Sequence, residues 1–108
     1  MPGIISAPAL AQWLSDEQRA HPLLLDVREM NELEICQLPN SVHMAMNTVP
    51  TRLNELDPEA EIVCICHHGA RSMHVANFLK QHGFDNVINL TGGIHAWATQ
   101  VDQSMPIY

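Results

Sequence analysis

The chain has 108 residues, 46% hydrophobic and 16% charged, which suits one soluble domain with a single core and no separate regulatory domain. Its formal net charge is −7 with only 5 Lys and Arg, so the clustered cations that hold nucleic acid or an anionic membrane are missing. No apolar run approaches the roughly 20 residues that span a bilayer, Met1-Pro2-Gly3 lacks the basic start of a signal peptide, and 3 cysteines are an odd count for a disulfide framework. A cytoplasmic protein with reduced thiols is expected.

Ser6 is placed to cap a first helix over 7–18, with Pro8 in its first turn and Leu10, Trp13 and Leu14 as its apolar stripe. Leu23-Leu24-Leu25 is a short apolar run leading into Asp26-Val27-Arg28, as in a strand covered on both faces. A short helix over 29–35, a turn at Pro39-Asn40 and a strand over 41–46 follow. Thr48 then caps a helix with Pro50 in its first turn, running to Leu56 and broken by Asp57-Pro58. The acidic clusters over 29–34 and 55–61 read as solvated surface.

Ile62-Val63-Cys64-Ile65 carries the strongest strand signal. A helix from Met73 to His82 follows, burying Val75, Phe78 and Leu79, with Gly83 as its left-handed stop. Val87 to Leu90 reads as another strand, and Gly92-Gly93 turns into a last helix carrying Ile94, Trp97 and Val101. Strands alternating with helices imply an α/β domain over 1–108 with a small, mainly parallel sheet flanked by helices. Ligands of such sheets bind beyond the C-terminal strand ends.

Cys66 lies at such an end, in the run Cys66-His67-His68-Gly69-Ala70-Arg71-Ser72 between strand and helix. Only a thiolate is a good nucleophile, and loop N–H groups, a helix N-terminus and the Arg71 guanidinium all favour that form. Gly69 permits an inward-curling loop, the Arg71 fork suits an oxyanion, and His67 and His68 add donors and potential positive charge. A locally cationic mouth for a small anion is therefore expected. Cys64, mid-strand, reads as core; Cys36 is either a packing residue or a second thiol able to resolve a persulfide on Cys66.

Three chemistries use such a loop. Cysteine phosphatases separate cysteine and arginine by one more residue than stands between Cys66 and Arg71, so this ring is narrower and suits a single sulfur better than a phosphate ester. A zinc site is conceivable from Cys64, Cys66, His67 and His68, but adjacent residues rarely converge on one tetrahedral centre and no Cys-x-x-Cys completes it. No metal and no organic cofactor are expected. The third chemistry is sulfur relay through a persulfide on Cys66.

In these residues the chain resembles the single-domain rhodanese-like sulfurtransferases. Asp26-Val27-Arg28-Glu29, the loop Cys66 to Ser72, and Gly92-Gly93-Ile94-His95-Ala96-Trp97 match the family's motifs in order and spacing. The resemblance implies a five-stranded sheet with Ile4-Ile5 in its first strand, Cys66 as persulfide former, and His67, His68, Gly69, Ala70, Arg71 and Ser72 as the substrate-binding loop. It casts Asp26 and Arg28 as braces. It further implies a thiosulfate-like anionic donor, a thiol or sulfur-acceptor protein as partner, and a monomer. One departure is Cys36-Gln37-Leu38-Pro39-Asn40-Ser41, where Cys36 takes a position the family usually gives to glycine. Two alternatives stay open: a non-enzymatic persulfide carrier or interaction module, and a phosphatase or arsenate reductase on the same scaffold.

Overall fold

A computed structural model describes residues 2–108. Five strands, β1 (Gly3–Ile5), β2 (Leu23–Asp26), β3 (Val42–His43), β4 (Ile62–Ile65) and β5 (Val87–Leu90), form one all-parallel sheet in the order β1-β5-β4-β2-β3. Four α-helices accompany it: α1 (Ala7–Ser15), α2 (Met30–Leu33), α3 (Ala70–Gln81) and α4 (Gly93–Gln100). The architecture is the five-stranded α/β sheet expected. No described helix is long and apolar enough to cross a membrane.

The side-chain period of two divides the core between the faces of the sheet. Ile62, Cys64 and Leu25 pack with Val75, Ala76 and Leu79 of α3 on one face. Val63, Ile65 and Leu24 pack with Leu10 and Trp13 of α1 and Ile94 and Trp97 of α4 on the other. All four residues of β4 are buried, which is why its sequence runs apolar without alternation. The edge strands are the two shortest, three residues in β1 and two in β3, which limits open pairing edges.

Several boundaries differ from expectation. Helix α1 ends at Ser15, because Asp16 accepts from the Gln18 N–H through Oδ1 (2.9 Å) and offers the chain a competing turn. The strand expected over 41–46 shrinks to Val42–His43. Two 3-10 helices, Met46–Thr51 and Leu53–Glu55, replace the α-helix expected to start at Thr48. Thr48 caps nothing: its hydroxyl donates backwards to the Ala45 carbonyl (2.7 Å), and Thr51 does the same to Thr48 (3.0 Å). These side-chain bonds and the missing Pro50 N–H work against an α-helical ladder. Phe78 is only half-buried and stacks on the His82 ring at 4.2 Å. Helix α3 starts at Ala70, three residues before the expected Met73, and this places Arg71 and Ser72 in its first turn.

The strand order locates the working end of the sheet. The chain leaves β2 toward β3 on one side and leaves β4 toward β5 on the other, so the connections diverge between the C-terminal ends of β2 and β4. Such a divergence opens a crevice. Asp26 pairs in register with Ile65 at this point, so Cys66 emerges beside Asp26-Val27-Arg28.

Arg28 is fully buried here. Its Nε and Nη2 donate to the Asp26 carboxylate (2.7–3.1 Å), Nη2 also to the Cys36 carbonyl (2.7 Å), and Nη1 to the Tyr108 hydroxyl (2.9 Å) and Glu32 carbonyl (3.4 Å). Every guanidinium N–H thus has an acceptor. Replacing Arg28 by Met should cost about 3–5 kcal/mol, because it strands a buried Asp26 carboxylate. Denaturant unfolding of Arg28→Met against the parent chain measures this, and a loss below about 1 kcal/mol would remove the bracing role.

Candidate active site

Cys66 follows the last residue of β4 and is 1% exposed. Gly69 adopts φ +109°, and this turn brings its N–H to the Cys66 Sγ at 3.0 Å. Ser72, in the first turn of α3, holds its hydroxyl 3.3 Å from the same sulfur. Its shortest contact is a bond donated to Asn89 Oδ1 at 2.5 Å. In that orientation the Ser72 oxygen can accept from a thiol S–H; turned the other way, the same hydroxyl donates to a thiolate.

Asn89 was not anticipated as a site residue. It is 3% exposed, accepts from Ser72, and donates through Nδ2 to the Gly69 carbonyl (3.1 Å). It therefore holds both groups that reach the sulfur. The available signal was a lone amide in the otherwise apolar strand Val87-Ile88-Asn89-Leu90.

Helix α4 secures the other side of the loop. The N–H groups of Ile94 and His95 donate to the carbonyls of Cys66 (2.8 Å) and His67 (3.1 Å). Helix N-terminal N–H groups have no partner within their own helix, so the loop supplies it. The contact needs Gly93, where a Cβ would lie 2.4 Å from the His67 oxygen and 2.5 Å from that of Cys66, at φ +60°.

Arg71 does not present a free fork. Its Nη1 and Nη2 donate to Glu32 Oε1 (2.6 Å) and Oε2 (2.8 Å), and Tyr108 donates its hydroxyl to Oε2 (2.7 Å). These contacts are those of a loop brace, not of the open oxyanion fork the sequence suggests. The hydrogen bonds from Arg71 hold the Glu32 carboxyl at about 2, well below the ordinary carboxylate range. Burial, and to a lesser degree hydrogen bonding to Glu32, push the Tyr108 hydroxyl up to about 12. The acidic stretch over 29–34 is thus not all solvated surface.

His67 stacks on the Tyr108 ring, with centroids 3.8 Å apart and planes 5° from parallel, and burial followed by the neighbouring His68 lowers its pKa. With His67 pushed toward neutral and Arg71 paired, the cationic mouth expected from the sequence is largely neutralised. His68 is exposed, Ala70 opens α3, and His95 joins the two histidines from α4. Asp26 and Arg28 lie one strand away as braces. Cys64 is fully buried, and burial pushes its thiol up to about 12. Cys36 is buried in the cluster of Trp13, Leu38 and Ile65, apart from the one containing Cys66.

Comparison with known proteins agrees with this geometry. The family profile described as "Rhodanese-like domain" matches residues 6–100. The chain belongs to the rhodanese-like family. A protein of Allochromatium vinosum named "Sulfurtransferase" is 35% identical over 94 residues, covering 87% of this chain and 86% of that protein. The chloroplastic "Rhodanese-like/PpiC domain-containing protein 12" of Arabidopsis thaliana is 43% identical over 89 residues, which are 79% of this chain but only 30% of that longer protein. A crystal structure of a "Rhodanese-like Domain Protein" from Staphylococcus aureus superposes with a TM-score of 0.84 at 27% identity, covering 98% of each chain. The Gly-Gly pair and the Asp-Val-Arg segment that mark this rhodanese-like chain thus have physical duties: one admits the loop backbone, the other fills the crevice below it.

Gly93→Ala should displace the Cys66 loop, since the added methyl meets backbone rather than a yielding side chain. Amide exchange of loop residues should accelerate at least about tenfold while β4 stays protected, and an unchanged loop would contradict the close-approach argument. The Glu32 carboxyl, at about 2 when folded against an ordinary 4.5, stabilises the fold above pH 4.5, and that contribution is lost as pH falls toward 2. Urea unfolding across that window should show a flatter pH dependence for Glu32→Gln than for the parent chain.

Proposed function

We propose that this chain is a sulfurtransferase that moves a sulfane sulfur from thiosulfate, or a similar small anionic donor, to a thiophilic acceptor through a persulfide on Cys66. The observation that supports this most is the convergence of the Gly69 N–H and the Ser72 hydroxyl on one nearly buried sulfur. These donors suit a charge on sulfur. The name of the Allochromatium relative supports the same class of reaction.

In the first half-reaction the Cys66 thiolate attacks the outer sulfur of thiosulfate. A new S–S bond forms, the donor's S–S bond breaks, and its electron pair leaves with sulfite. In the second, an acceptor nucleophile attacks the terminal sulfur of the persulfide, and the Cys66 thiolate is returned. Charge balances in both steps and no proton need be supplied. Gly69 N–H and Ser72 stabilise the anion, while Asn89 keeps both in place. Ser72 suits the alternation between thiol, thiolate and persulfide because its hydroxyl can turn from acceptor to donor. The acceptor in this reading is a thiol or a sulfur-acceptor protein, and the chain works as a cytoplasmic monomer without resident cofactor.

A second reading is a persulfide carrier that serves one partner protein and turns over small donors poorly. It draws support from the 1% exposure of Cys66 and from the occupation of the Arg71 fork by Glu32. Both features slow the capture of a free anion.

Incubation with thiosulfate should add the mass of one sulfur atom to the peptide containing Cys66, and cyanide should then release thiocyanate with ping-pong kinetics. Cys66→Ala should abolish both. Uptake of no sulfur, or activity surviving in Cys66→Ala, refutes the sulfurtransferase; stable loading with slow thiocyanate release selects the carrier.

A further inference from the structure

The geometry points to a metal-ion site, distinct from the Cys66 sulfur, in which His67, His68 and His95 bind a divalent first-row transition ion. Each histidine offers one ring nitrogen, and the three nitrogens lie within 4.8 Å of one another. Two histidines come from the loop and the third from the first turn of α4. This answers the objection that adjacent residues do not complete a tetrahedral centre alone, because the missing ligand arrives from another element.

The second observation is independent of that convergence. His67 Nε2 and His95 Nδ1 are buried and have no hydrogen-bond partner. A buried polar atom without a partner is costly, and native proteins rarely leave two together. Stacking on Tyr108 explains where the His67 ring sits, but not why its inner nitrogen lacks an acceptor or donor. A metal ion bound through these two atoms would satisfy both at once.

The scaffold is already assembled for such a site. The His95 N–H is bonded to the His67 carbonyl at 3.1 Å, so the backbones of two ligands are locked to each other, and Gly93 permits that approach. At a Zn–N distance of about 2.0–2.1 Å, tetrahedral ligands stand about 3.4 Å apart, so no pair needs to close by more than about 1.4 Å. Ring centroids are 6.1 Å apart for His67 and His95, 5.0 Å for His68 and His95 and 3.9 Å for His67 and His68, so closure needs a turn of the His95 side chain as well as of the exposed His68. Three imidazoles with no carboxylate or thiolate suit Zn²⁺, Ni²⁺ or Cu²⁺ rather than Ca²⁺ or Mg²⁺, and leave a fourth position for water.

Calorimetric titration of the full chain with Zn²⁺ tests the assignment, with Co²⁺ as an absorbing substitute. One equivalent should bind at micromolar concentration, His95→Ala and His68→Ala should each weaken binding more than about tenfold, and Cys66→Ser should leave it unchanged. The Co²⁺ form should show d–d bands without a sulfur-to-cobalt charge-transfer band. His68 is exposed, so its variant keeps the test valid should His95→Ala unfold. Absence of binding, binding indifferent to His95 and His68, or binding lost in Cys66→Ser would each overturn the three-histidine site. None of these outcomes depends on sulfur transfer, so the site and the proposed activity stand or fall separately.

Discussion

Two backbone hydrogen bonds, from Ile94 and His95 to the carbonyls of Cys66 and His67, are the constraint on which the rest of the site depends. They turn the unpaired N-terminal N–H groups of α4 into the wall against which the loop rests. Glycine at position 93 is then a consequence of contact distance, and the positive φ of Gly69 is what returns the chain toward the sulfur. With both sides set, Asn89 needs only to hold the Gly69 carbonyl and the Ser72 hydroxyl to define the donors around Sγ. The loop is thus set by backbone contacts on the α4 side and by the Arg71, Ser72 and Asn89 side chains on the other.

A second network ties this loop to the centre of the sheet. From Arg71 it runs through Glu32 and Tyr108 to Arg28 and Asp26. Its inner end is fully buried and its outer end partly exposed, with Arg71 and Glu32 side chains 34% and 13% exposed. Breaking the inner pair strands a charge in low dielectric, whereas the outer pair is partly screened by solvent. The network therefore has a rigid root and a softer tip. Its tip lies at the mouth of the loop.

What was legible in the sequence follows from the kind of signal each feature leaves. Ile62–Ile65, the Cys66 loop, the Gly-Gly pair and the braces Asp26 and Arg28 announce themselves through local pattern and spacing. Glu32 was read as solvent-facing because it sits in an acidic run, and nothing nearby in sequence reveals that Arg71 will pair with it. Tyr108 and His95 are joined to the site only by tertiary contact, which periodicity does not encode. Asn89 did leave a local trace, an amide inside an apolar strand. The segments over 46–55 are 3-10 and not α-helical because the hydroxyls of Thr48 and Thr51 bond backwards, a competition that propensity alone does not reveal.

The occupied Arg71 fork bears on how a small anion can be recognised at all. A phosphate dianion bound in such a loop calls for a guanidinium that answers its charge, and here that guanidinium is answered by Glu32. What reaches Sγ is a pair of neutral dipoles, the Gly69 N–H and the Ser72 hydroxyl. Neutral donors suit a single negative charge localised on a polarisable sulfur, the charge a persulfide carries. Ring size and charge balance thus favour the same chemistry for independent reasons, one counted along the chain and the other visible only once Glu32 has been placed beside Arg71.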